Sequence, residues 1–144
     1  MPQEAPYTLR IIRVDLTTGK ISEELIDGET TAKYVGGTGL AMKYLWEEVP
    51  AGVQWSDPEN RLTFFTGPLA GTRVGGSGTF SVTTLGACTG MAGTAQANGF
   101  LGAFMRTNGI DGVIVQGKAD KWTRIHIEDG QVRLLDAEHL VGKD

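Results

Sequence analysis

Residues 66–102 read TGPLAGTRVGGSGTFSVTTLGACTGMAGTAQANGFLG, with ten glycines and a single charged residue, Arg73. The chain as a whole is 21% charged, so this is no ordinary surface segment. Glycine accepts positive φ and lets another group approach the main chain closely. The stretch is therefore either a tightly packed internal layer or the floor of a site for a large polar ligand. Within it, Thr79–Thr84 (TFSVTT) alternates like a strand, and Gly86–Gly93 reads as a connection. Ala95–Thr107 reads as a helix stopped by Asn108-Gly109. Its one charge, Arg106, lies near the C-terminal end, where a cation suits the helix dipole. A helix with so little charge is expected to be buried on most sides.

Outward from this stretch the elements are easier to place. Residues 8–26 (TLRIIRVDLTTGKISEELI) predict a β-hairpin turning at Thr17-Thr18-Gly19. Residues 31–48 predict a helix that Gly36, Gly37 and Gly39 break in two and Pro50 closes. Arg61–Thr66 predicts a strand ended by Pro68. Gly112–Gln116 (GVIVQ) is a short continuous apolar run, the pattern of a central strand. Residues 122–135 predict a second hairpin turning at Asp129-Gly130. Hairpins with two main helices between them imply an α+β fold with mixed or antiparallel sheets, and no linker divides residues 1–144.

Composition narrows the function. Forty per cent of the residues are hydrophobic and the net charge is −4, ordinary for one globular domain. No basic stripe suggests nucleic acid, and no apolar run is long enough to span a bilayer. The N-terminus MPQEAPYTLR has no apolar signal core, and one cysteine, Cys88, excludes a disulfide framework within the chain. These features make the cytoplasm the expected compartment. Cys88 has no thiol or histidine near it in sequence and is expected to be a buried structural cysteine.

Motif tests are mostly negative. There is no P-loop, and neither Gly37-x-Gly39 nor Gly76-x-Gly78 continues as a dinucleotide-binding turn. His126 and His139 are expected to be solvated rather than metal ligands. No acid occurs between Glu59 and Asp111, so general acid–base chemistry has no carrier in the glycine-rich stretch. Asp111 itself reads as turn chemistry. No catalytic residue and no metal ligand set is assigned. What remains is the N-terminal end of the Ala95–Thr107 helix, where free N–H groups and the positive dipole end suit phosphate. Gln96 and Asn98 add amide groups there, beside Gly99.

The chain also resembles a known family nearly end to end. The matching pieces are RVDLTTGKI at 13–21, YVGGTGLAMKYLWEEVP at 34–50, PENRLTFFTGPLAGT at 58–72, NGFLGAFMRTNGIDGVIVQGKAD at 98–120 and LLDAEHLVGKD at 134–144. Together they resemble the N-terminal domain of the tungsten-dependent aldehyde ferredoxin oxidoreductases. The resemblance implies a two-sheet α+β base on which a bis-pterin tungsten cofactor rests. Later helical domains would complete the pocket and supply the cysteines of a [4Fe–4S] cluster. The implied enzyme oxidises aldehydes to carboxylic acids and passes electrons to ferredoxin. Relatives acting on aromatic-ring thioesters or other carbonyl compounds leave substrate and metal, tungsten or molybdenum, open.

On this resemblance the candidate cofactor-binding residues are Thr79, Gln96, Asn98, Gly99 and Arg73. Two positions depart from the family pattern. Thr79 stands where an arginine is usual, so its electrostatic role falls to Arg73 or is lost. Gln96 stands where an asparagine holds the phosphate-bridging metal through its main chain, a contact that survives the change. Ending at Asp144, the chain is expected to be an excised domain or a small subunit of a split enzyme. Alone it is expected to be inactive, and its expected partners are the remaining domains or subunits, ferredoxin and further copies of itself. A non-catalytic assembly module of the same fold is the alternative.

Overall fold

The structure, a computed structural model, describes residues 8–143, so the reading of MPQEAPY as lacking a signal core lies outside the described residues. Strands β1 (Leu9–Asp15) and β2 (Lys20–Ile26) form the predicted first hairpin. Helices α1 (Gly28–Tyr34) and α2 (Gly37–Glu48) follow, separated as the glycines suggested. Asp27 caps α1, accepting from the Thr30 N–H at 2.7 Å. At the joint, Val35 has φ 66° and the Gly36 N–H bonds the Tyr34 carbonyl at 2.7 Å, a tight γ-turn that redirects the chain.

Strands β3 (Leu62–Thr66), β4 (Phe80–Leu85) and β5 (Ala92–Ala97) precede helix α3 (Phe100–Thr107). The chain closes with β6 (Gly112–Gln116), the hairpin β7 (Thr123–Glu128) and β8 (Gln131–Asp136), and a short 3-10 turn, Glu138–Leu140. Six strands form one sheet in the order β2-β1-β6-β3-β4-β5, while β7 and β8 pair separately. Only β1 and β6 run parallel; the other pairs in that sheet are antiparallel. The apolar run GVIVQ is central, as its pattern predicts, because both its faces need cover.

Each face of the large sheet has its own core. On one, α2 lays Leu40, Ala41 and Tyr44 over Ile11, Phe65 and Ile114, with the Tyr44 and Phe65 rings stacked at 5.8 Å. On the other, Met105 of α3 and the β7–β8 hairpin cover Ile12, Val14, Val113 and Val115. Two adjacent β1 residues thus serve opposite cores, as the period of two requires.

Three sequence expectations need correction. The Ala95–Thr107 helix does not begin at Ala95: Ala92–Ala97 is a strand, and the helix starts at Phe100. Alanine favours helix by a few tenths of a kcal/mol, about what one good backbone pairing offsets, and β4 offers an open edge to pair. Nor is that helix buried on most sides, since Phe100 is 76% and Phe104 60% exposed. Cys88 is exposed in the β4–β5 turn, not buried.

The C-terminal end of α2 carries an ion-pair network. Glu48, at the end of α2, accepts from Arg13 Nη1 at 3.0 Å and Arg61 Nε at 3.1 Å. Arg13 Nε reaches Glu24 at 2.6 Å, and the Tyr44 hydroxyl donates to Glu24 at 2.7 Å. Burial pushes the Glu48 carboxyl up, but Arg13 and then Arg61 more than offset this and hold it below its ordinary value of 4.5. A carboxyl lowered on folding stabilises the protein fully above its unfolded value, and this contribution is lost as pH falls through the folded value. Urea titrations from pH 6 down to pH 3 are expected to show Glu48→Gln narrowing the acid-induced loss of stability. An identical acid slope in the variant would show that Glu48 does not contribute.

Candidate cofactor-binding edge

The β4–β5 hairpin sets the geometry of the site. The Gly86 N–H donates to the Met91 carbonyl at 2.8 Å and closes the turn. Antiparallel ladders alternate, so from this bond onward the main-chain groups of Gly93, Ala95 and Ala97 turn toward β4. Those of Ala92, Thr94 and Gln96 turn outward, off the edge of the sheet. Gln96 therefore presents a main-chain N–H and C=O that β4 does not use. Its side chain shares a face with Ser81 and Thr94, where Thr94 Oγ1 meets Thr83 at 3.1 Å and Thr38 of α2 at 3.2 Å.

Beyond Ala97 the chain turns through Asn98 and Gly99 into α3. Gly99 is the N-cap, with φ 153° and no side chain to bond the first-turn N–H groups. They lack a side-chain cap, and the positive end of the helix dipole lies among them. The loop after β3 is seated against this end. A Cβ on Gly78 would lie 2.4 Å from the Gly99 carbonyl oxygen, so only glycine allows the approach. At the end of the same loop, Thr79 Oγ1 contacts the Gly76 carbonyl at 2.9 Å and also Asn98 Oδ1.

Four of the five candidate residues thus come together. Thr79 fixes Asn98, Gly99 opens the helix, and Gln96 lies just before them on the edge. Arg73 is different: it is exposed on the loop and makes no hydrogen bond to Thr79, Asn98 or Gly99. The helix N-terminus expected at Ala95 lies instead at Gly99, so Gln96 belongs to the edge strand and not to a first helical turn. Residues 87–101 are exposed without interruption and include no charged side chain. The opposite edge, β2, carries Lys20, Glu23 and Glu24.

A residue that sequence reasoning underrated stands behind α3. Asp111, read as turn chemistry, is 6% exposed. Its carboxylate accepts the Arg10 N–H at 2.8 Å and pairs with Arg106 near the end of α3. Its carbonyl accepts the Thr66 N–H at 2.9 Å and the Thr66 hydroxyl at 3.0 Å. It therefore ties β1, β3 and α3 together behind the edge. Its "turn" signal gave no hint of this, because Arg10 lies 101 residues away.

His126 lies beside Glu128 at 3.4 Å on the small hairpin. Among the described residues no three His, Cys, Asp or Glu side chains converge as a metal site. A shallow groove of about 780 Å³, lined by Met42, Trp46, Pro50, Leu85 and Ala92 among others, lies at the other end of β5. It is mostly apolar, and the charged side chains on its wall, Lys43 and Glu47, pair with each other at 2.6 Å, so the chemistry points to the Gln96–Gly99 end instead. No helix among the described residues is long and apolar enough to cross a membrane.

An open strand edge, an uncapped helix and a surface stretch free of acids suit a polar, anionic ligand. The tungsten-containing aldehyde ferredoxin oxidoreductase of Pyrococcus furiosus is 39% identical over 134 residues, covering 93% of this chain and 22% of the relative. Its Pyrococcus abyssi counterpart is 37% identical over 137 residues, 95% of this chain and 23% of the relative. The chain thus spans under a quarter of the length of these relatives. Among solved structures, the active-site complex BamBC of benzoyl coenzyme A reductase, in complex with 1,5-dienoyl-CoA, superposes with a TM-score of 0.89 at 34% identity. That match covers 92% of this chain and 20% of the other. Residues 11–144 match the family described as aldehyde ferredoxin oxidoreductase, N-terminal domain, and the chain belongs to that family.

Proposed function

We propose that this domain is the cofactor-bearing base of a tungsten or molybdenum bis-pterin oxidoreductase that oxidises aldehydes to carboxylic acids, with ferredoxin as electron acceptor. The observation that carries this reading is the uncharged β5 edge leading into the uncapped N-terminus of α3. In this reading the first-turn N–H groups of α3 face the phosphate end of the cofactor, and Thr79 holds Asn98 in place for it. The outward carbonyl of Gln96 suits a hard cation bridging phosphates. Arg73, on the same loop as Thr79, adds the one positive charge of the stretch. When bound, the metal–pterin group supplies the two-electron chemistry, and this chain's residues position it and exclude competing charge. The [4Fe–4S] cluster is ligated outside this chain, in further domains or subunits, and the compartment is cytoplasmic. The domain alone is therefore not expected to turn over substrate.

The similarity to a benzoyl coenzyme A reductase complex with 1,5-dienoyl-CoA supports reading the substrate as selected outside this domain. The test is Gln96→Glu in the assembled enzyme. Gln96 is exposed on an edge strand, so the melting curve is expected to stay within about 0.5 kcal/mol of the parent. A carboxylate there repels phosphate, and tungsten and pterin content are expected to fall roughly tenfold. Unchanged metal and pterin content with an unchanged melt would place the cofactor elsewhere and leave the edge as a packing or assembly surface.

A further inference from the structure

Only Gly102 and Met105 of the eight α3 residues are buried, so apolar contact leaves this helix loosely fixed in rotation and along its axis. Polar contacts at its C-terminal end supply what is missing. Asn108, the C-cap, uses both ends of its side-chain amide. Nδ2 donates to the Phe104 carbonyl at 2.8 Å, and Oδ1 accepts the Gly130 N–H at 2.9 Å. Gly130 is the second turn residue of the β7–β8 hairpin, with φ 74° after Asp129 at φ 50°. Its carbonyl accepts Arg10 Nη2 at 3.1 Å. Both main-chain groups of one turn glycine are thus held by side chains 22 and 120 residues away. The Arg10 N–H meets Asp111, and Asp111 pairs with Arg106, so the contacts close on α3 again. A Cβ on Gly130 would lie 3.3 Å from the Asn108 carbonyl oxygen, so the turn is seated directly on the cap.

We propose that the β7–β8 turn sets where α3 begins, and that Asn108 is thereby a positioning residue for the cofactor; the second half rests on the cofactor reading of the β5 edge. An eight-residue helix is a rod about 12 Å long, so a slide at Asn108 is carried to Gly99. The start of the helix has little freedom to absorb it. A Cβ on Gly102 would lie 3.2 Å from the Gly78 carbonyl oxygen and 3.3 Å from that of Thr79. The first turn is therefore laid on the main chain of the loop that carries Thr79. A slide of α3 moves the first-turn N–H groups and shifts Asn98 against Thr79 at the same time. The small hairpin shares no strand pairing with the large sheet. This turn and the apolar face of Ile125, Ile127, Val132 and Leu134 are what attach it. The clasp thus gives the hairpin a task beyond cover: hydrogen-bond direction fixes what apolar packing leaves loose.

The experiment is hydrogen exchange read by mass spectrometry on the assembled enzyme freed of cofactor, with tungsten and pterin content of the loaded enzyme as the second readout. Asn108→Ala removes both side-chain bonds. Arg10→Met releases Gly130 from the far side, and Arg10 hydrogen-bonds no residue of α3. Tyr44→Phe removes the hydroxyl bond to Glu24 on the opposite core and controls for lost stability alone. Residues 99–107 are expected to exchange about fivefold faster in Asn108→Ala and Arg10→Met, and at the parent rate in Tyr44→Phe. Tungsten and pterin content are expected to fall about threefold or more in the first two and to hold in the third. Should Asn108→Ala fail to assemble, Arg10→Met decides. Exchange at the parent rate across 99–107 overturns the proposal. So does faster exchange with full cofactor content while Gln96→Glu loses cofactor, because the clasp then holds the helix without placing the site. If Gln96→Glu also keeps its cofactor, the reading of the edge falls, and the exchange rates still decide whether the turn sets the start of α3.

Discussion

Replacing Asp111 with alanine is expected to cost roughly 2–4 kcal/mol of stability, a drop in melting temperature on the order of 10 °C for a domain of this size. The carboxylate is nearly inaccessible and serves two donors, the Arg10 N–H and the Arg106 guanidinium. Truncation orphans the first and removes the Asp111–Arg106 ion pair. The loss stays below the upper range for buried pairs because Arg106 is partly exposed and water can reach it. The main-chain bonds of Asp111 to Arg10 and Thr66 remain, so the strand register should survive and the effect should be energetic rather than topological. Asp111→Asn keeps an acceptor and loses only the charge, so it is expected to fall between the parent and alanine. Thermal melts of the three proteins check the order. Equal stability of Asp111→Ala and the parent would show that α3 is held by its apolar face alone, through Met105.

Asp111 also marks where sequence reading stops. Its neighbours, Asn108-Gly109 before it and the apolar run after it, give a local turn signal that is correct as far as it goes. Its energetic partner Arg10 is in the first strand, and nothing within a turn's reach encodes that meeting. The hairpins were legible for the opposite reason: Thr17–Gly19 and Asp129-Gly130 carry their turn chemistry within a few residues. GVIVQ was legible as central because an apolar run without alternation needs cover on both faces. The segment from Ala92 to Ala97 was misread because alanine and glutamine favour helix locally, and only the free edge of β4 makes it a strand. The same error displaced the helix N-terminus by about one turn and hid the outward carbonyl of Gln96, which follows from ladder parity and not from residue type. The absence of charge from residue 87 to 101 was plain in the sequence. Whether it meant a packed layer or an open surface depended on the neighbours of β5, and the structure shows β4 on one side only.

The seat of the loop on α3 gives the second large effect. Gly78→Ala is expected to destabilise the domain by about 2–3 kcal/mol, whereas Gly75→Ala, three residues earlier on the same loop, is expected to be neutral or stabilising by up to about 1 kcal/mol. Neither glycine has positive φ, so backbone strain does not separate them. Space does. A methyl at Gly75 meets nothing within 4 Å, but at Gly78 it lies 2.4 Å from the Gly99 carbonyl oxygen. That oxygen belongs to the main chain at the helix start and cannot rotate away as a side chain would. The loop must lift or α3 must shift, and either motion separates Thr79 from Asn98. Amide shifts and hydrogen exchange across Asn98–Gly102 are therefore expected to change in Gly78→Ala and to stay as they are in Gly75→Ala. The two variants share a chemistry and an unfolded-state effect, so their difference isolates the contact. Equal melting temperatures, with equal exchange at the start of α3, would mean that the loop does not rest on the helix. The Thr79–Asn98 pair would then lose its claim to organise the proposed cofactor-binding edge.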